Sequence, residues 1–442
     1  MSVADPPQPP APAPNVLIGV TGGIAAYKVC EVTSTLAKAG INVRVLMTEQ
    51  AQSFVSAVTF AALSRQPVLT DADFWSAQQG RPLHIELGEW ADVFAIAPLT
   101  ANTLGKLANG LADNLLTNTV LASTCPVLLA PAMNTDMWLQ YAVQQNIQRL
   151  CPDTAQASPN DPSTRFHIVG PAAGRLACDR VGQGRMAEPQ AIVTYLQSLA
   201  HKKGKRDLAG KHLLISTGST REFIDPVRYI GNPATGKMGI ALAQAAQHRG
   251  AQVTLVHGPL SAEVTRTLPA DSDRIAITTA AEMEQHMLAR LPRADWVIMA
   301  AAVADVRPAS TVPHKLPKKD LPQQLPLAPV PDIVSQLSDR KSHHQLIVGF
   351  AAQTGDILPP ALSKLTRKGL DAIVTNPIDQ PGSGFGSDTN EAIILLADGQ
   401  QRPIARCSKL MLAHHLYDQL ITLRPAQRDR TSDSFKKETT AP

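Results

Sequence analysis

The chain has 442 residues, 44% hydrophobic and 18% charged, the balance of a globular protein long enough for two or three separate cores. Its formal net charge of +4 is spread along the sequence, which argues against nucleic acid or a membrane as partner and leaves small anionic molecules. Five cysteines, an odd number without a CxxC spacing, argue against a disulfide framework or a structural zinc site and fit a reducing cytoplasm.

Residues 1–14, MSVADPPQPPAPAP, read as a disordered Pro/Ala lead without the basic and apolar regions of a signal peptide. No apolar run approaches the ~18 residues of a membrane helix. Next come NVLIGV, INVRVLM, DVFAIAP and PVLLAP, Val/Ile/Leu-rich runs that predict strands buried on both faces. The run IAAYKVCEVTSTLAKAG between the first two predicts a helix that ends at a glycine. A basic stretch, LAHKKGKRDLAGKH, then marks a boundary, with domains predicted at 15–199 and 211–424 around a linker at 200–210. The second half repeats the pattern with HLLIST, AQVTLVHG, ADWVIMAA, QLIVGF and DAIVTN as strands and KMGIALAQAAQHRG as a helix. Alternation of this kind predicts an α/β fold with a parallel sheet in each half. From Val306 to Asp332 the chain is too proline-rich for a helix or a central strand, and so long a loop is often functional. Residues 425–442 read as a disordered tail.

Several residues at predicted strand ends carry chemistry. Gly22 and Gly23 open a tight turn into a helix whose free N–H groups suit a phosphate, although the same turn serves plain packing. Thr100, Asn102 and Thr103 in APLTANT and Asn134 in APAMN leave strand ends where open parallel sheets bind ligands; each is equally at home as a helix cap. His84 in RPLHIEL reads as a surface histidine or a functional one. Cys178 stands among glycines and arginines in GRLACDRVGQGRM, a composition that cannot bury a thiol in a core.

In their order, GGIAAYK, MTEQAQSF, HIEL, APLTANT, LANGLADNLL, PAMN and ACDRVGQGRM resemble the homo-oligomeric flavin-containing cysteine decarboxylases that act on phosphopantothenoylcysteine. The resemblance runs from about residue 15 to about residue 199. It implies a flavoprotein-type Rossmann-like domain holding FMN at Gly22, Gly23, Thr48, Thr100, Ala101, Asn102 and Thr103. His84 is implied as a catalytic histidine, Asn134 as the substrate-holding asparagine, and Cys178 as an acid on a mobile flap. Loss of CO₂ from a cysteine carboxyl needs an electron sink, which a flavin offers, and the product carbon needs the proton that Cys178 supplies. The family usually reads CGD where this chain has Cys178, Asp179 and Arg180, and losing that glycine restricts the backbone of the flap.

From about Lys211 to about Leu423, STGSTREFIDPVRYIGNPATGKMG, AAAVADV, PDIV, VGFAAQT and KLTRKGLD resemble the phosphopantothenate–cysteine ligase domain fused to this decarboxylase in bacteria, a second Rossmann-like α/β domain. Here the resemblance implies CTP activation of a carboxylate as an acyl-cytidylate, with Mg²⁺, followed by attack of the cysteine amine. It gives Asn232 and Lys315 as catalytic residues, and Asp305, Lys315, Pro331, Asp332, Ile333, Val334, Phe350, Lys364 and Lys368 as CTP contacts; the metal ligands stay unassigned. Departures are STGST for the TAGPT type of loop, NPAT after Gly231, Pro317 in the lysine loop, and Gln353 in place of a glutamate. The implied partners are 4′-phosphopantothenate, cysteine and CTP, within a cytoplasmic homo-oligomer of trimer-based decarboxylase and dimeric ligase domains.

Two other readings stand beside this one. Paired α/β halves suit an NAD(P)-dependent oxidoreductase, but the GxGxxG fingerprint is missing. A non-catalytic flavin- or nucleotide-binding regulatory protein is disfavoured by the presence of His84, Asn134 and Cys178.

Overall fold

The computed structural model describes residues 13–77, 80–152, 162–177, 179–269 and 272–423. Most of the predicted lead, the predicted tail and Cys178 lie outside them. The chain forms two compact units that divide between Asp207 and Leu208.

The first unit runs β1 (Asn15–Val20), α1 (Ala26–Lys38), β2 (Asn42–Met47), α2 (Ala57–Ser64), β3 (Val68–Thr70), α3 (Asp71–Phe74), α4 (Leu83–Trp90), β4 (Val93–Leu99), α5 (Ala101–Ala108), α6 (Leu115–Ala122), β5 (Val127–Pro131), α7 (Thr135–Trp138), α8 (Tyr141–Leu150), β6 (Phe166–Ile168), β7 (Ala172–Arg175), β8 (Val181–Arg185) and α9 (Pro189–Lys202). Six parallel strands lie in the order β3-β2-β1-β4-β5-β6, the doubly wound arrangement. Strand alternation divides β1 between two layers: Val16, Ile18 and Val20 pack with Val29 and Leu36 of α1 and Ile192 and Leu196 of α9. Leu17 faces the other way, toward Leu87, Leu104 and Leu116 of α4, α5 and α6. Strands β7 and β8 form a separate antiparallel ribbon.

The second unit continues with β9 (His212–Thr217), β10 (Arg221–Phe223), β11 (Tyr229–Gly231), α10 (Lys237–His248), β12 (Gln252–His257), α11 (Ala262–Thr265), β13 (Asp273–Ala276), α12 (Ala280–Arg290), β14 (Trp296–Met299), β15 (Val306–Pro308), β16 (Leu327–Pro329), α13 (Ile333–Arg340), β17 (Leu346–Gln353), α14 (Leu358–Arg367), β18 (Ala372–Pro377), β19 (Thr389–Leu396), β20 (Gln401–Ser408) and α15 (Lys409–Thr422). Its sheet has the order β13-β12-β9-β14-β17-β18-β19-β20. It is parallel as far as β18, and β19 and β20 add an antiparallel hairpin at the edge. Leu213 and Ile215 meet Leu242 of α10 and Leu416 of α15; Leu214 meets Met283, Leu337 and Leu365 from α12, α13 and α14.

Every apolar run named above falls on a strand of one of these sheets. The proline-rich stretch stays out of the central sheet, carrying only the β15–β16 ribbon and a 3-10 turn at Lys318–Asp320. The helix α9 extends to Lys202, so the first residues of the expected linker are helical. Among the described residues no helix is long and apolar enough to cross a membrane.

In each unit the chain builds outward from its first strand, then returns and builds the other way. The reversal falls between β1 and β4 in the first unit and between β9 and β14 in the second. Neighbouring connections there leave on opposite faces and open a crevice at the carboxyl ends of the strands.

Arg249, 1% exposed, closes the layer between α10 and α15 by pairing with Asp418 at 3.0 Å and donating to the His414 carbonyl at 3.1 Å. Replacing it with methionine keeps the volume but strands the carboxylate. Arg249→Met is expected to lower the stability of the second unit by about 3 kcal/mol, read from urea unfolding of the whole chain.

Candidate active sites

At the first switch point, the turn after β1 and the turn after β4 are sewn together. The Thr21 hydroxyl donates to the Pro98 carbonyl at 2.6 Å and accepts from the Thr100 N–H at 3.2 Å. Gly23 lies against Thr100, and a Cβ on Gly22 would collide with Gln50, so glycine is what keeps the start of α1 open. At that start the Ala26 and Lys28 N–H groups bond the Gly23 and Ala25 carbonyls at 2.9 and 3.1 Å, which leaves the N–H groups of the turn before them as a cradle for a phosphate. Thr48 and Thr100 each cap the turn that follows them, accepting from the N–H of Ala51 at 3.3 Å and of Thr103 at 3.4 Å. The buried Thr103 accepts the Thr100 hydroxyl at 3.2 Å, so its first duty is to shape the loop. Ala101 is half-buried and Asn102 exposed at the start of α5.

Asn134 follows β5 and caps α7, its Oδ1 accepting from the Asp136 N–H at 2.8 Å. The β7–β8 ribbon lies on this loop: the Gly184 carbonyl accepts from the Met133 N–H at 3.0 Å, and Arg180 forms an ion pair with Asp136. Cys178 itself is outside the described residues; the segment that follows it, Arg180 to Gly184, is fastened to this loop. Asp179 takes a left-handed φ of 62°, the conformation that the usual glycine adopts without cost. Aspartate is among the residues that tolerate it, and the Arg175 guanidinium bonds its carboxylate at 2.7 Å. His84 sits in the first turn of α4 with its ring edge-on to Phe74 at 5.5 Å. Its Nδ1, like the Thr135 Oγ1, is buried with no partner among the described residues, so each can bond a ligand.

Asp179→Gly is expected to change the activity of this site by less than about twofold, the size of a surface substitution. Gly184→Val, whose Cβ would collide with the Met133 carbonyl, is expected to abolish it. Turnover of the two variants checks both.

At the second switch point the loops after β9, β11 and β14 interlock. The Gly218 carbonyl accepts from the Ala302 N–H at 2.8 Å, and the Thr220 hydroxyl accepts from the Ala304 N–H at 3.1 Å. The exposed Asn232 donates through Nδ2 to the Ala302 and Val303 carbonyls at 3.3 and 3.2 Å. This brings it beside the loop that carries Asp305, which is exposed and whose carbonyl accepts from the Val330 N–H at 3.0 Å. Pro331 is exposed and Val334 half-buried, while Ile333 packs into the core. Asp332 caps α13 and pairs with Lys368 at 2.9 Å. Burial pushes its pKa up, but the Lys368 ammonium and the Ser335 N–H outweigh that and hold it below the usual carboxylate value. Lys368 therefore reaches an anionic ligand only by exchanging partners, whereas Lys364 is half-buried with no ion pair among the described residues. Lys315 is exposed. Pro317 begins the 3-10 turn bearing Lys318 and Lys319, and the Gln353 carbonyl accepts from the Ile378 N–H at 2.9 Å, a backbone bond indifferent to the side chain at 353.

Phe350 lines a cavity of about 130 Å³ with Thr217, Gly236, Asn376, Lys237 and Lys409. All five are candidate site residues that the sequence reading does not single out. Gly236 and Lys237 open α10, and a Cβ on Gly239 in its first turn would collide with Thr217. Lys237 bonds the Gly386 carbonyl and the Asp388 carboxylate at 3.2 and 2.6 Å. Lys409 donates to the Gly384 carbonyl at 3.2 Å and to the Ser387 carbonyl. Burial, and then Lys237 nearby, lower the Lys409 pKa to about 8. Its charge is therefore present below that pH and lost above it. Pyrophosphate binding, measured by calorimetry, is expected to weaken as pH rises through about 8, and Lys409→Met is expected to remove that dependence.

Two doubly wound units, each with interlocked glycine- and hydroxyl-rich loops at its switch point, define an α/β enzyme of two units. A family model described as Flavoprotein matches residues 7–201, and one described as DNA/pantothenate metabolism flavoprotein C-terminal domain matches residues 208–423. The coenzyme A biosynthesis bifunctional protein CoaBC of Bacillus subtilis (strain 168) is 43% identical over 417 residues, covering 94% of this chain and 99% of the relative. Its namesake in Escherichia coli (strain K12) is 39% identical over 413 residues, covering 92% and 97%. The crystal structure of the C-terminal domain of a protein of that name is 32% identical, covering 49% of this chain and 97% of its own, with a TM-score of 0.42. The chain belongs to the family of coenzyme A biosynthesis bifunctional proteins.

Proposed function

We propose that the second unit joins cysteine to 4′-phosphopantothenate by way of an acyl-cytidylate made from CTP with Mg²⁺, and that the first unit, with FMN, removes the cysteine carboxyl as CO₂ to leave 4′-phosphopantetheine. The observation that carries this reading is the 43% identity to a bifunctional coenzyme A biosynthesis protein over 94% of the chain, with matching motifs at both switch points.

In the second unit a carboxylate must gain a leaving group before an amine can displace it. The phosphates that leave carry the charge, so cations placed where that charge develops do most of the work. Lys315, Lys364, Lys368, Lys237 and Lys409 are the cations available. Asn232 spends its Nδ2 on two carbonyls, which leaves its Oδ1 to accept from a ligand. Asp305, Pro331, Asp332, Ile333, Val334 and Phe350 border the nucleotide.

In the first unit, FMN when bound supplies the electron sink that a departing carboxylate requires. The N–H groups after Gly22 and Gly23 hold its phosphate, and Thr48, Thr100, Ala101, Asn102 and Thr103 flank it. The unpartnered His84 Nδ1 and Thr135 Oγ1 and the collision that any Cβ on Gly22 would cause support that fit. Asn134 holds the substrate, and Cys178 gives a proton to the product carbon. Exposed Ile24, Tyr27, Phe54, Trp75 and Tyr141 suit a homo-oligomer, trimer-based in this unit and dimeric in the other.

Wild-type protein given 4′-phosphopantothenate, cysteine, CTP and Mg²⁺ is expected to yield 4′-phosphopantetheine by mass spectrometry. Cys178→Ser is expected to stall at a decarboxylated, oxidised species, and Lys315→Met to make no cysteine adduct. Accumulation of the cysteine adduct in wild type would sink the decarboxylase half.

A further inference from the structure

The lysine loop leaves its neighbouring ribbon long before it returns, yet it is not free. The Val312 N–H donates to the Ile224 carbonyl at 3.0 Å. Four residues later the Leu316 N–H donates to Asp225 Oδ2 at 3.2 Å, and Arg228 Nη1 donates to the Leu316 carbonyl at 3.2 Å. Asp225 has no exposed side-chain surface. Its Oδ1 accepts from the N–H groups of Val227 and Arg228, both at 2.8 Å, and its Oδ2 is shared between Leu316 and the Arg228 guanidinium. One carboxylate therefore closes its own turn with one oxygen and grips the residue after Lys315 with the other.

We infer that Asp225 is a positioning residue for the ligation step: through Leu316 it fixes the lysine loop so that the Lys315 ammonium reaches the reacting phosphate. This rests on the role proposed above for Lys315. Burial alone would push the Asp225 carboxyl up, but the Val227, Arg228 and Leu316 N–H groups and the Arg228 guanidinium overcome it and hold it down at about 2. The sign follows: the grip is fully present above the usual carboxylate pKa and is lost only as pH falls through about 2. An uncharged acceptor could not serve four donors. Lys315 carries a long, mobile side chain on an exposed loop, so tying the adjacent backbone removes freedom that would otherwise be lost at each turnover.

Asp225→Asn separates the two duties, because an amide has one oxygen and its NH₂ repels the donors on the other side. Amide exchange of the full-length protein by mass spectrometry reads the tether directly, and ligation kinetics with CTP read its consequence. Exchange at residues 312–316 is expected to quicken by about tenfold or more, the scale of a lost bond to a charged acceptor. The ligation kcat is expected to fall about as far, with the KM for CTP little changed and exchange elsewhere in the unit unaltered. Leu316→Pro, which deletes the donor and keeps Asp225, is expected to reproduce the kcat loss. Unchanged exchange at 312–316 in Asp225→Asn would overturn the tether. Quickened exchange with an unchanged kcat would overturn the positioning role if Lys315→Met is inactive. If Lys315→Met still ligates, the role of Lys315 falls first and takes the inference with it.

Discussion

Close approach of loops at the carboxyl ends of parallel strands is the constraint on which both units depend. Strands buried on both faces have no place for polar chemistry, so every group that can bind or react is moved to the connections. Those connections hold their shape where hydrogen bonds cross from one loop to the next. Thr21 bridges the turns after β1 and β4, and Gly218, Thr220 and Asn232 bridge those after β9, β11 and β14. Small residues at these crossings, Gly22 and Gly239 among them, are spatial necessities, since a single Cβ would force the loops apart.

The two units answer different electrical demands on this common plan. The first presents few charges at its switch point and offers backbone N–H groups and the buried His84 Nδ1, which has no partner among the described residues. The second gathers lysines, several of them already engaged: Lys368 with Asp332, Lys237 with Asp388, Lys409 with two carbonyls. On the function proposed above, these cations stay apart and half-satisfied until an anionic ligand arrives.

Central strands were legible because burial on both faces writes continuous Val, Ile and Leu runs, and the repeat of strand and helix predicted the α/β class. Edge elements were not. β3, β6 and β13 are three or four residues long, and the edge strand β20, QRPIARCS, is mostly exposed, so none carries the signal of a central strand. For the sites, loops written in ordered motifs pointed to Gly22, Asn134, Asn232 and Lys315. Lys409 was invisible, because it comes from the start of the last long helix and joins the cavity only through folding. Asp225 was hidden for a related reason: its partner lies 91 residues away. The replacement of glycine by Asp179 looked like an obstacle in sequence, yet the left-handed backbone at that position is one that aspartate can adopt.

The most direct test of a two-step enzyme on one chain is the stoichiometry of CO₂ release from carboxyl-labelled cysteine against CMP formed, with 4′-phosphopantothenate and CTP supplied to the purified protein. One labelled CO₂ for each CMP, and none when CTP or 4′-phosphopantothenate is left out, is the predicted result. CMP formed without labelled CO₂, or CO₂ released without CTP, would contradict it.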